Sequence, residues 1–161
     1  MEQTKEQAFI RAVHDERHRM YRIALGYLHS SQDAEDAVSD AVESTWKKLK
    51  HIHHENAIPS YLIRCTINAA KGQLRKRRRI EPLEPYAETL AVGESEDPIT
   101  DYLSGMKEKE QLLLVLKFQE NMLESDIAAI LQIPRGTVAS RINTLIKRIR
   151  NQMSKEELSR D

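Results

Sequence analysis

The sequence predicts an all-α protein made of two small helical domains joined by an acidic linker, and three observations carry that expectation. Apolar residues recur at helical spacing on both sides of a single compositional break. Only five glycines and five prolines interrupt 161 residues rich in Leu, Ile, Ala, Glu, Lys and Arg, a composition that favours helix over sheet. Residues 81–106 hold seven acids and no Lys or Arg, which suits a tether better than a packed element. The expected organisation is a domain at 1–80, a linker at 81–97 and a second domain at 98–161. Each domain has fewer than about 90 residues, so each is only marginally stable on its own.

The elements follow in order. Phe9, Val13, Met20, Ile23 and Tyr27 fall at helical spacing and predict a first helix from about residue 5 to 29. Ser30-Ser31-Gln32-Asp33 breaks it and offers a cap with an acid in the next first turn. Val38, Val42, Trp46 and Leu49 form the stripe of a second helix, and Ala34, Ala37 and Ala41 allow close helix contact. Lys50–Pro59 reads as a loop, after which Pro59 suits the first turn of a third helix through Tyr61, Leu62, Ile63, Cys65, Ile67 and Leu74. Pro82, Pro85 and Gly93 punctuate the linker, and Asp97-Pro98 resembles a helix start. The second domain shows Leu112, Leu113, Val115, Leu116 and Phe118, then Ile127, Ala128, Ile130 and Leu131. Its last helix carries Val138, Ile142, Leu145, Ile149 and Met153.

Charge is segregated although it sums to zero. Residues 1–80 hold 15 Lys/Arg against 10 Asp/Glu, and residues 107–161 hold 10 against 8. Ile23 to Trp46 carries five acids and no Lys or Arg, whereas Asn56 to Ile80 has seven basic residues and no acid. Ile127 to Lys155 has six basic residues and none acidic. Two acid-free basic blocks could hold a polyanion at two places, although solvated helix faces have the same look.

Several classes are disfavoured. Charged residues make up 31% of the chain and no apolar run nears the roughly 18–20 residues of a membrane span. The stretch MEQTKEQAFIRAVHDERHRM lacks a signal peptide's apolar core, so a cytoplasmic protein is expected. The single cysteine excludes an internal disulfide and reads as a buried, inert thiol. His51-Ile52-His53-His54 has only Glu55 as a nearby carboxylate, so a solvated or base-contacting loop is preferred to a metal site. No Gly-rich phosphate loop, nucleophile elbow or paired His–Asp arrangement occurs. Neither catalysis, nor a cofactor, nor a small-molecule substrate is expected.

The segment SDIAAILQIPRGTVASRINTLIKRIR has the layout of a helix-turn-helix. A short helix with Ile127, Ala128 and Leu131 ends near Gln132, Ile133 tucks into the core, and Pro134-Arg135-Gly136-Thr137 opens a second helix. Val138, Ile142, Leu145 and Ile149 face inward, leaving Arg135, Thr137, Ser140, Arg141, Asn143, Thr144 and Lys147 outside or at the flanks. Arg and Lys can read guanine or hold phosphate, Ser and Thr donate to either, and Gly136 lets a backbone approach closely. An ordinary helical hairpin with a basic outer face fits the same spacing.

The run DAEDAVSDAVESTW (Asp33–Trp46) followed by YLIRCTINAAKGQLRKRRR (Tyr61–Arg79) resembles the promoter-melting domain of bacterial sigma factors, most closely the extracytoplasmic-function (ECF) group of the sigma-70 family. SDIAAILQIPRGTVASRI resembles the same group's −35-binding domain, and the two occur in the family's order over roughly residues 5–155. The resemblance implies a chain that binds core RNA polymerase and promoter DNA. Asp33, Glu35, Asp36 and Asp40 match the surface that docks on the clamp helices of the polymerase's largest subunit, and Trp46 belongs with the core. Lys50–Pro59 matches the element that captures a flipped-out −10 base, with His51, His53, His54 and Asn56 as candidates. Arg64, Asn68, Lys71, Arg75 and Arg78 match the face on the −10 strand, and Lys76, Arg77 and Arg79 could extend it along phosphates. Arg135, Gly136, Thr137, Ser140, Arg141, Asn143 and Lys147 match the −35 reader. The linker matches the segment threaded through the polymerase's RNA-exit region. The family also implies an anti-sigma partner, often membrane-anchored.

The chain departs from the family pattern at Tyr61, where Trp is usual, at Ser39 and Val42, and at Ala139, where a basic residue is frequent. Leu123 replaces a capping Ser or Thr, and Gln132 replaces the turn glycine. A stand-alone helix-turn-helix regulator that does not engage polymerase is one alternative, and it has no need of the acidic Asp33–Glu43 helix; a protein-interaction module whose charged faces bind other proteins is the other.

Overall fold

The computed structural model describes residues 2–80 and 105–159, and every regular element among them is helical. The expected linker at 81–97 and the helix start at Asp97-Pro98 lie outside the described residues. The chain divides into two compact units, Met1–Glu94 and Ser95–Asp161.

In the N-terminal unit, α1 (Glu2–Leu28), α2 (Ser31–Lys48) and α3 (Ile58–Ile80) pack pairwise into a three-helix bundle. Only two residues separate α1 from α2. His29 takes a left-handed φ of 54° and closes α1, with its N–H on the Leu25 carbonyl at 2.9 Å. Ser30 then caps α2, its hydroxyl oxygen accepting from the Asp33 N–H at 3.3 Å. Asp33 in the first turn and Lys47 and Lys48 in the last complement the helix dipole.

The bundle core comprises Met20, Ile23, Tyr27 and Leu28 of α1, the alanines of α2, and Ile58, Leu62, Ile63, Ile67 and Ala70 of α3. Ala34, Ala37 and Ala41 are fully buried, so the backbone of α2 approaches its neighbours closely. The buried hydroxyls of Thr45 and Thr66 donate to the Ala41 and Leu62 carbonyls at 2.8 Å, so neither is left unsatisfied.

Trp46 departs from expectation. It is 49% exposed, and Val38 and Val42 are only half-buried. The inner face of α2 runs through Ala34, Ala37, Ala41 and Thr45, and these small residues leave the bulky stripe on the helix shoulder. The expected loop at Lys50–Pro59 is more ordered than predicted: it holds two 3-10 turns, Leu49–His51 and Glu55–Ala57, and α3 has begun by Ile58. Pro59 does fall in its first turn.

In the C-terminal unit, α4 (Glu108–Leu114) runs into a π turn at Val115–Gln119, followed by α5 (Glu124–Leu131) and α6 (Arg135–Ser159). The Glu120 N–H reaches the Val115 carbonyl at 2.9 Å, five residues back. This wider turn leaves Phe118 54% exposed and buries Glu120. Leu112, Leu113, Leu116, Ile127, Ile130, Val138, Ile142 and Leu145 form that core. Gln111 is buried among them and donates to the Met106 carbonyl at 2.9 Å. The inward stripe of α6 stops at Leu145: Ile149 is half-buried, Met153 is exposed, and residues 150–159 are exposed throughout.

Candidate nucleic-acid interface

α3 is a basic helix with two distinct faces. Leu62, Ile63, Thr66, Ile67, Ala70 and Leu74 are buried. On the other side Arg64, Asn68, Lys71, Arg75 and Arg78 succeed one another at spacings of four and three residues, which aligns them in one stripe. Asn68, Arg75 and Arg78 are exposed, and Arg64 and Lys71 are half-buried. The Arg64 guanidinium lies 5.4 Å from the centre of the Tyr61 ring, a cation–π contact that holds the first turn of the stripe. No acidic residue lies anywhere on α3, so the stripe presents a continuous positive edge suited to a phosphate chain.

Arg77 does not join that stripe. Its guanidinium donates to the Leu28 carbonyl at 2.8 Å and pairs with the Asp33 carboxylate. Gln73, one turn earlier, donates to the Asp33 carbonyl at 3.3 Å. The sequence expectation placed Arg77 among phosphate-tracking arginines. Asp33, expected on a docking surface, is the partner of this arginine.

The turn before α3 exposes His51, His53, His54 and Asn56. Among the described residues no group of three His, Cys, Asp or Glu side chains is placed to hold a metal ion. On α2, Glu35, Asp36, Asp40 and Glu43 are exposed. Glu43 meets Lys47 at 2.9 Å, but both are well solvated, so this pair contributes little. Sequence reasoning missed the groove beside these acids, a cavity of about 460 Å³ between α1 and α2 lined by Phe9, Val13, Met20, Val42 and Trp46.

Cys65 faces Thr45 and is half-buried, so the expected fully buried thiol is corrected to a partly accessible one. Burial pushes its pKa up, against the opposing effects of the Thr45 hydrogen bond and the Arg64 charge.

In the C-terminal unit, α5 and α6 pack on each other through a three-residue turn. Gln132 adopts φ 57°, ψ 44° and closes α5, with its N–H on the Ala128 carbonyl, and Ile133 N–H also reaches Ala128 at 3.1 Å. Ile133 is half-buried. The Pro134 carbonyl accepts from Thr137 and Val138 N–H at 3.0 and 3.2 Å and so opens α6. Val138, Ile142 and Leu145 turn inward. Arg135, Gly136, Ser140, Arg141, Asn143 and Lys147 are exposed, and Thr137 is half-buried. A Cβ at Gly136 would meet nothing within 4 Å, so the bare backbone there serves no packing inside the unit. Arg148 pairs with Glu110 of α4. Between α4 and α6 lies an open cleft of about 700 Å³ edged by Lys107, Lys109, Arg141 and Arg148. Glu108 and Glu110 line the same cleft and offset the two lysines.

Among the described residues no helix is long and apolar enough to cross a membrane. The sigma-70 region 2 family model matches residues 12–80, the span from α1 to the end of α3. The chain is 24% identical to the RNA polymerase sigma factor SigV of Bacillus subtilis, over 98% of both chains. It is 25% identical to the RNA polymerase sigma-H factor of Pseudomonas aeruginosa, over 85% of this chain and 81% of that one. It is 26% identical to the ECF RNA polymerase sigma factor SigM of Mycobacterium tuberculosis, over 81% of this chain and 68% of that one.

Proposed function

We propose a role in transcription initiation from one premise: the chain belongs to the extracytoplasmic-function group of the sigma-70 family. It is a sigma factor, which joins core RNA polymerase and directs it to promoters. The supporting observation is the juxtaposition, in one bundle, of exposed acids on α2 with an acid-free basic stripe on α3. One face suits a basic protein surface and the other a nucleic-acid strand.

In detail, Glu35, Asp36 and Asp40 dock on the clamp helices of the polymerase's largest subunit. Arg64, Asn68, Lys71, Arg75 and Arg78 hold the melted −10 strand, while the turn with His53 and Asn56 receives a base turned out of the stack. Extruding a base costs a few kcal/mol, which the stripe's phosphate contacts and the receiving turn offset. α6 reads the −35 element in the major groove through Arg135, Gly136, Thr137, Ser140, Arg141, Asn143 and Lys147. The role is one of binding, and the polymerase performs the chemistry. An anti-sigma protein, in some settings anchored in the membrane, covers the same two surfaces until the chain is released.

The test is transcription from genomic DNA by core polymerase with and without the purified chain. New discrete 5′ ends that share two short upstream elements are expected. A transcript pattern unchanged by the chain contradicts the reading.

A further inference from the structure

Three contacts converge at one corner of the N-terminal bundle. The Arg77 guanidinium bridges the Leu28 carbonyl, at the last residue of α1, and the Asp33 carboxylate, in the first turn of α2. Gln73, on the same side of α3, donates to the Asp33 carbonyl. The planar fork of an arginine can serve two acceptors at once, a geometry that a lysine's point charge does not reproduce. Asp33 itself is held from below by the Ser30 cap. The two side chains are about one-third exposed, so the pair stays within reach of solvent and its role is geometric more than energetic.

The neighbours of Arg77 make the placement informative. Arg75 and Arg78, on either side of it in sequence, belong to the exposed stripe, and Lys76 and Arg79 are exposed too. Within this run of five basic residues, Arg77 is turned back onto the other two helices. Its target, Asp33, begins the helix that carries Glu35, Asp36 and Asp40.

We propose that Arg77 and Asp33 are positioning residues: their pairing fixes the C-terminal turns of α3, and with them the Arg75 and Arg78 part of the stripe, relative to the head of the acidic helix α2. Neither contacts DNA or polymerase directly. The inference rests on the sigma-factor reading above and assigns to these two residues a role different from that of their neighbours. Without the pairing the last two turns of α3 lose their anchor, and the basic stripe no longer meets the strand in register while the docking acids stay in place.

The experiment uses full-length chain assembled with core polymerase, and a fork-junction DNA selected from a random pool by the wild-type holoenzyme. Binding is measured across a salt series for Arg77→Ala, Asp33→Asn, Arg75→Ala and the exchanged pair Asp33→Arg/Arg77→Asp, each checked for folding by thermal melting. Arg77→Ala and Asp33→Asn are both expected to weaken fork binding about tenfold and to lower the salt slope alike, because Arg75 and Arg78 then miss their phosphates. Arg75→Ala, a phosphate contact, lowers the slope by about 0.7–0.9. The exchanged pair, which rebuilds the ion pair but not the contact with the Leu28 carbonyl, restores only part of the lost affinity, and core binding by Arg77→Ala stays within about twofold of wild type. A loss in Arg77→Ala that Asp33→Asn does not share, as a direct phosphate contact of Arg77 would give, or an Asp33→Asn chain that no longer binds core polymerase, overturns the positioning role and leaves the sigma-factor reading standing. A wild-type chain that forms no holoenzyme contradicts the reading itself and the inference with it.

Discussion

Phe9 and Trp46 bring their rings to a centroid separation of 5.3 Å and an angle of 49° across the α1–α2 seam. Phe9 is buried and Trp46 remains half exposed. Trp46 therefore contributes a contact on one side only. Trp46→Ala is expected to destabilise the N-terminal unit by about 1–2 kcal/mol, below the roughly 3–5 kcal/mol of a fully buried aromatic. Urea unfolding followed by circular dichroism measures it, and a loss above that range places the indole in the core after all.

The Cys65 thiol is raised by burial, so it stays protonated at neutral pH and reacts more slowly than a free thiol. Alkylation by iodoacetamide should lag behind glutathione at pH 7.5 and accelerate only at higher pH. The linkage has a definite sign. A group whose folded pKa lies above its unfolded value favours the folded state below the unfolded pKa, and that stability is lost as pH rises through the folded one. Cys65→Ser should thus flatten part of the alkaline decline in stability, measured by chemical unfolding at a series of alkaline pH values.

Two positions in the C-terminal unit invite stabilisation. Leu123 already has N-cap backbone angles and is 67% exposed, yet its side chain caps nothing. Leu123→Ser is expected to gain about 1 kcal/mol by accepting from the first-turn N–H groups of α5. Gln132 sits in the left-handed region, so Gln132→Gly relieves backbone strain worth about 0.5–1 kcal/mol. Thermal melting of the single variants and the pair checks both, and a lowered midpoint for either variant contradicts the cap geometry.

On α6, Lys147 and Arg141 should respond differently. Lys147→Ala is expected to weaken promoter binding alike across sequences and to lower the salt slope by about 0.9, as a phosphate contact does. Arg141→Ala should relax preference at one base pair, a loss of about 1–3 kcal/mol on the best sequence and little on others. Competition binding over a set of single-base promoter variants separates the two, and identical profiles contradict the assignment.

The helices were readable because burial here follows period. Met20, Ile23 and Tyr27 of α1 and Val138, Ile142 and Leu145 of α6 lie where their spacing places them. The basic face of α3 was expected from the family resemblance, and spacings of three and four residues account for its alignment in the structure. Long-range partners were not. Arg77 and Asp33 are 44 residues apart; helical period sets Arg77 off the stripe, on the side of Ala70 and Leu74, but does not name Asp33 as its partner. Trp46 was misplaced because hydrophobicity alone ranks it above Ala37 and Ala41, whereas close helix approach favours the small residues. Phe118, grouped in the sequence with the apolar residues before it, is exposed because the π turn at Val115–Gln119 shifts its phase.

Binding of the purified chain to core RNA polymerase, with wild type compared against Asp36→Arg, tests the central claim most directly. A sigma factor docking through the exposed acids of α2 forms a stable complex, and reversing the Asp36 charge weakens it by about tenfold or more, because like charges then meet at the interface. Absence of a complex with wild-type chain contradicts the sigma-factor account, and undiminished binding by Asp36→Arg contradicts the assignment of α2 as the docking face.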